Sequence, residues 1–556
     1  MASTIKVTSS ERRKVLLGSS LGTAFEWYDF HLYGTLAPVI AKHFFSGVSE
    51  STGFIFALLT FAAGFIGRPF GSLVFGRLGD MIGRKATFLI TIILMALPTF
   101  FVGLLPGYET LGVAAPIILI AFRVLQGLAA GGEYGGALVY VAEHSPPGRR
   151  GQDTSWINAM GAMGIILALA VVFIVRTAIG EDAFSAWAWR LPFLLSLVLF
   201  GISMWIRMTL KESPVFAEMK AAGKVSNSPI KEAFGSASNI KLAVLIALGG
   251  PAAVGVMAYT SQFYTQFFLA KTLKIDAVII NEIVIIALLI STPAYIAFGW
   301  LSDCIGRKPV VMCGALIAIF TIQPAFHGLT HYGNRVLEDV QGKSPVVISA
   351  DQEECSFQFA LLAGKKFKSS CDVAHGVLSD QMVSYERKSV AKGTPASVQI
   401  GEQVIASFDG RSMSDGDFDK KKKAFEGEVK AALTSQGYPK SANSSEINKP
   451  MLIAIVTFLL ILYAAVYSPI GAWMVELFPS RIRYTAISLP YNVGAGWVGG
   501  FMPATAFAMV AANGNVYYGL WYPIVVLGVA LIIGTFFLPE TRNVELNTVG
   551  VESEKT

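Results

Sequence analysis

The sequence predicts an all-α membrane protein: twelve transmembrane helices in two six-helix halves, with a small α+β domain inserted into the second half. Three observations carry that expectation. Apolar residues make up 53% of the 556-residue chain and charged ones only 15%, with a mean hydropathy of +0.55, well above the usual soluble mixture. Spans of roughly 20 predominantly apolar residues, long enough for a hydrocarbon core of about 30 Å, recur from Val15 to Leu538 with short polar breaks. A ten-residue segment repeats between the halves, and one long polar stretch interrupts the second.

In lipid a helix satisfies its own backbone, and these runs are too long for barrel strands. The expected helices are 13–40, 53–79, 85–106, 112–143, 154–178 and 189–210, then 240–270, 277–302, 308–328, 450–477, 483–511 and 517–538. Residues 1–210 form the first half, 211–239 a linker, 240–330 and 448–540 the second half, 331–447 the insertion and 541–556 a short tail. Glu26 and Asp29 interrupt the first apolar run, which therefore reads as a span and not as a cleaved leader.

The net charge of +6 follows from where Lys and Arg fall, so it does not require a nucleic-acid partner. Alternate loops are basic: Arg12 to Lys14, Arg84/Lys85, Arg149/Arg150, Lys211 to Lys241, Arg307/Lys308 and Arg481/Arg483. The intervening loops hold only Lys42, Arg176, Arg190, Lys271 and Lys274. The positive-inside rule then places the basic loops and both termini in the cytoplasm, and residues 331–447 outside it. Of the four cysteines, only Cys355 and Cys371 share the polar segment, and they are the candidate disulfide.

Gly76-Arg77-Leu78-Gly79-Asp80-Met81-Ile82-Gly83-Arg84-Lys85 is echoed by Gly299-Trp300-Leu301-Ser302-Asp303-Cys304-Ile305-Gly306-Arg307-Lys308 at an offset of 223 residues. Glu143, Pro146 and Arg150 are echoed by Glu476, Pro479 and Arg483 at an offset of 333. The offsets differ by 110 residues, which is the length of extra chain in the second half. Alternating residues 396–400 and 403–408 predict strands there, and 417–434 a Lys-rich amphipathic helix whose Lys420 to Lys423 form a solvated face.

Charged side chains at bilayer depth cost about 2.5 to 3.5 kcal/mol each on insertion scales, so those present are candidates for function. Gly22, Glu26, Asp29 and Tyr33 form one stripe of the first helix. Glu26 and Asp29 are the first proton-site candidates, and either would alternatively serve only to hold a buried Arg. Arg68 and Arg123 are the Lys or Arg residues placed well inside spans, and a guanidinium fork suits a substrate carboxylate. Gln126 lies one turn beyond Arg123, and Glu133 two turns further on nearly the same face. From the second half, Gln262, Tyr264, Gln266 and Asn492 are candidate hydrogen-bonding partners for substrate. No metal-ligand cluster, nucleophile motif or phosphate loop has a supporting context, so neither enzyme chemistry nor a cofactor is expected.

Other motifs complete the pattern: Glu26-Trp27-Tyr28-Asp29-Phe30, Arg68-Pro69-Phe70-Gly71, Arg123-Val124-Leu125-Gln126-Gly127 and Gly131-Gly132-Glu133-Tyr134-Gly135-Gly136 in the first half. Trp189-Arg190-Leu191-Pro192-Phe193, Glu212-Ser213-Pro214-Val215-Phe216 and Leu538-Pro539-Glu540-Thr541-Arg542 follow. Together they resemble the major facilitator superfamily, in its metabolite:proton symporter branch, which includes shikimate, 2-oxoglutarate, citrate and proline/betaine transporters. The resemblance covers all twelve helices and leaves out the insertion. It implies proton-coupled symport of a small carboxylate or zwitterion by a monomer in a bacterial inner membrane, with Arg123 in coupling. It also implies that Gly76, Asp80, Arg84 and Glu143, with Gly299, Asp303, Arg307 and Glu476, lock the cytoplasmic side of an outward-open state. Met81 and Cys304 depart from the family's usual Arg after the Asp. The rival expectations are a proton-independent facilitator or exporter and, from another class, a ligand sensor.

Overall fold

The computed structural model of the chain describes residues 9–46, 50–355 and 368–546. Long helices dominate. α1 (Ser9–Thr35) and α2 (Glu50–Met81) precede α3 (Arg84–Leu104), α4 (Ala114–His144), α5 (Arg150–Ile179) and α6 (Arg190–Thr209). Short helices at Pro214–Ala221 and Pro229–Phe234 lead to α7 (Ala237–Thr272), α8 (Ala277–Ile305) and α9 (Arg307–Gly333). α10 (Lys449–Leu477), α11 (Arg483–Val510, its last turns reaching Asn513) and α12 (Tyr518–Phe537) complete the set. Among the described residues, the ten helices from α3 to α12 are long and apolar enough to cross a membrane. Phe101, Trp205, Phe320 and Phe536 stand exposed on their outer faces, an arrangement that suits a lipid solvent and not water.

Several helices are interrupted for reasons visible in the sequence. The predicted helix 13–40 ends at Thr35 and restarts as Ala37–Phe44, because Pro38 lacks a donor and crowds the preceding turn. Gly250 and Pro251 break α7 in the same way. π turns interrupt α7 at Tyr259–Tyr264 and Phe268–Thr272 and α11 at Asn492–Gly499, and such turns often mark functional positions.

α9 runs to Gly333, past the predicted end at 328, so the insertion starts at Asn334 and not at 331. The insertion holds a four-stranded mixed sheet of β1 (Val346–Ala350), β2 (Tyr385–Ser389), β3 (Ser397–Ile400) and β4 (Gln403–Ala406) in the order β2-β1-β3-β4. β1 pairs in parallel with β2 and antiparallel with β3, and β3 turns directly into β4. Helices Ser370–Gln381 and Asp415–Ser435 bury Val373, Val377, Phe418, Phe425 and Val429 in a core shared with Val346, Ile348 and Val398. Cys355 and Cys371 are bonded to each other. His375 lies beside them, but sulfurs joined in a disulfide are not free to ligate a metal.

Candidate functional site

The first half encloses a chain of buried charges that starts on α1. Asp29 accepts hydrogen bonds from Thr99 Oγ1 on α3 (2.8 Å) and Gln126 Nε2 on α4 (3.1 Å), and its carboxylate lies 3.5 Å from Arg123 Nη1. Arg123 donates to Gln126 Oε1 at 2.6 Å and sits 3.8 Å from the centre of the Tyr33 ring. Nη1 thus serves both Asp29 and Gln126, while Nε and Nη2 are buried without a hydrogen-bond partner among the described residues. Helical spacing alone groups Glu133 with Arg123, but the structure pairs Glu133 with Arg207 of α6, and Thr91 Oγ1 adds a bond of 2.7 Å. The sequence does not single out Arg207, which lies two residues from the end of its helix, where a flanking charge is ordinary.

Glu26 lies between these pairs and is different. Its Oε2 is buried with no hydrogen-bond partner among the described residues. A cavity of about 30 Å³ touches Glu26, Asp29, Glu133 and Thr99. At roughly 10–15 Å³ per water, it has room for about two.

Arg68 of α2 faces the second half. Its guanidinium stands 5.3 Å from the Phe30 ring centre and 5.1 Å from that of Phe65, and its stem lies beside Gly496 of α11. Its charge reaches Glu26, Tyr259 of α7 and Tyr491 of α11. Among the described residues no carboxylate is within ion-pair distance of it. Aromatic rings of the two halves meet around it: Phe30 lies 5.6 Å from Phe263, Phe65 lies 5.5 Å from Tyr259, and Tyr134 stacks on Tyr491 at 4.3 Å. His31 packs against Phe263 at 4.6 Å.

The second-half candidates divide. Gln262 is buried on the first π turn of α7 with Oε1 unpartnered among the described residues. Tyr264 does not line the space between halves, because its ring packs on Phe326 and Phe507 inside the second half. Gln266 donates to Gln262 O one turn back, at 2.8 Å. Asn492 Nδ2 donates to Gly131 O of α4 and Ser488 O, both at 2.8 Å, so it works as a bridge between helices.

At the far end, the duplicated loops make two related clusters. Asp80 accepts from Tyr484 N (3.2 Å) and Thr485 N (2.8 Å) at the start of α11, a favourable place for an anion. Asp303 does the same at the start of α5, accepting from Gly151 N (2.9 Å) and Gln152 N (2.8 Å). Each carboxylate therefore holds a helix of the opposite half. Arg84 lies 3.4 Å from Asp80 and 3.6 Å from Glu143, which also meets Arg483 at 3.2 Å. Arg307 lies 2.6 Å from Asp303 and 3.1 Å from Glu476, which also meets Arg150 at 3.3 Å. A Cβ at Gly76 would lie 2.8 Å from Thr485 Cα, and one at Gly299 would run into Ser155 and Gly151 O; glycine lets the helices approach. The tail closes over both clusters, with Val544 O accepting from Arg150 and Leu546 O from Arg483.

A profile described as "Sugar (and other) transporter" matches residues 15–232 and 430–552. The chain belongs to this transporter family. The family is one of membrane transporters of the major facilitator superfamily and not of enzymes. The chain is 37% identical over 329 residues to the glycine betaine/proline/ectoine/pipecolic acid transporter OusA of Dickeya dadantii, an alignment covering 56% of this chain and 64% of that one. It is 35% identical over 324 residues to the alpha-ketoglutarate permease of Escherichia coli, covering 57% and 73%. It thus spans just under two thirds of the first curated relatives it matches. In fold it is similar to the proton:xylose symporter XylE, with a TM-score of 0.57 at 16% identity over 98% of this chain and 99% of that one.

Proposed function

We propose that the protein is a secondary transporter that carries a small organic anion or zwitterion inward together with protons, by alternating access. All twelve long helices span the membrane in this reading. The termini and ion-pair clusters face the cytoplasm, and the inserted domain faces the outside. Arg68 carries the reading: it is a permanent cation between the halves, without an ion-pair partner among the described residues. An uncompensated guanidinium at that depth is costly unless a ligand's carboxylate completes it. Gln262 and the Tyr259 ring are the second half's contributions to the same space.

The proton site lies next door, in the first half. Glu26 and Asp29 line one small cavity, with Asp29 clamped by Arg123 and Glu26 free to be protonated. The Glu133–Arg207 pair completes the network. A zwitterion taken up with one proton moves one net positive charge. Across about 100 mV that is worth roughly 2.3 kcal/mol, or about fiftyfold accumulation. A monoanion with one proton is electroneutral and driven by the pH gradient alone.

Uptake into proteoliposomes of mono-, di- and tricarboxylates, hydroxy acids and betaines tests both parts. Arg68→Gln is expected to raise the KM for a carboxylate substrate at least tenfold with little change in thermal stability. A KM within twofold of the parent value would remove Arg68 from the binding site, and uptake indifferent to a protonophore would remove the proton.

A further inference from the structure

We propose that the inserted domain is a brace joining the outer end of α7 to the outer end of α11, so that these two helix ends move as one body.

Two anchors define it. Just past α7, Lys274 adopts φ 56°, a left-handed conformation that a non-glycine residue keeps only where its surroundings enforce it. The insertion supplies that enforcement. Ala442 N donates to Lys274 O at 3.0 Å, Lys274 Nζ donates to Pro439 O at 3.1 Å, and Asn334 Nδ2 donates to Leu273 O at 3.0 Å. At the end of α11, Arg387 donates to Ala512 O at 2.5 Å and Tyr385 N to Gly514 O at 2.9 Å, while Ser384 Oγ accepts from Val516 N at 3.4 Å. A Cβ on Gly514, which itself has φ 92°, would run into the Tyr385 carbonyl.

The material between the anchors is stiff. Helix Ser370–Gln381 leads into β2, packs on the end of α11, and carries Cys371, which is bonded to Cys355 beyond β1. The shared core ties this helix to Asp415–Ser435, which leads to the α7 anchor at residues 438–442. Among the described residues, every hydrogen bond from the domain to the long helices and their connecting loops goes to the second half. The described part of the domain therefore rides on that half.

Its consequence follows from the π turns. They interrupt regular bonding towards the outer end of α7, where a further π turn, Phe268–Thr272, follows, and in the middle of α11, so each helix has a natural place to bend before its anchor. Tyr259 and Phe263, which meet Phe65 and Phe30 of the other half, sit on the first π turn of α7. Tying the outer ends together makes the bending of one helix the bending of both.

The test is a distance measurement, which depends neither on the substrate nor on proton coupling. Asn448 N donates to Tyr332 O at 2.9 Å, so the ends of the insertion are adjacent and residues 335–447 can be replaced by a short Gly-Ser link. Spin labels at Lys271 and Asn513 are expected to give a narrow distance distribution in the full chain and one at least twice as wide after excision. Transport is expected to slow severalfold at unchanged KM. The same widening is expected from Arg387→Ala combined with Gly514→Ala, which keeps the domain and decides the matter should the excised chain fail to fold. An unchanged width would overturn the brace, as would a raised KM at unchanged width, the signature of a substrate-capture surface.

Discussion

Asp29→Asn is expected to abolish accumulation, bringing the inside-to-outside substrate ratio to one, while counterflow exchange continues. Asparagine keeps the shape of aspartate and can still accept from Thr99 Oγ1, now 2.8 Å from Oδ1. It cannot hold or release a proton, and it strips Arg123 of the carboxylate 3.5 Å away. Breaking a buried pair by removing one partner costs about 3–5 kcal/mol, so the variant should also melt at a lower temperature. Glu26→Gln is the informative contrast. Glu26 has no ion-pair partner among the described residues to strand, so its loss should leave the melting temperature within a few degrees of the parent while uncoupling proton movement. Measuring counterflow, protonophore-sensitive uptake and melting in one preparation separates the two roles. Full accumulation by both variants would sink the proposed proton site.

The helices could be read from the sequence because lipid enforces a simple rule: about 20 apolar residues per span, whatever their detailed packing. The duplicated loops were equally legible, since a shared chemical task left the same residues at the same offset. Partner choice among buried charges was not legible. Helical spacing set Glu133 on the Arg123 face, but packing across helices pairs it with Arg207 of α6. In the insertion, the β3–β4 hairpin announced itself by alternation, while β2, Tyr385–Ser389, has four exposed residues of five and no apolar period to betray it. It is a strand because β1 offers it a backbone edge. The π turns are not visible in the apolar periodicity of α7 and α11, which reads as continuous helix through both.

Glu476→Gln should open the side that the ion-pair clusters close, which is the cytoplasmic one in the proposed topology. One carboxylate there answers Arg150 at 3.3 Å and Arg307 at 3.1 Å and also accepts from Thr541 at 2.6 Å, and both guanidiniums are almost wholly buried. A neutral amide leaves them without that charge, and about 3–5 kcal/mol of lost pairing corresponds to a shift of roughly two to nearly four decades in a two-state equilibrium. With Cys304 and Cys313 replaced, a cysteine at the buried Ser488 should react with a cytoplasmic thiol reagent at least a hundredfold faster in the Glu476→Gln background. An unchanged labelling rate with a lowered melting temperature would mean that the cluster holds the fold and not the gate. Glu143→Gln, acting on Arg84 and Arg483 in the related cluster, should have the same effect. Both clusters bias one opening, so the effects should not simply add. Once either variant has made the open state dominant, the second can change the labelling rate little, whereas two independent local defects would multiply.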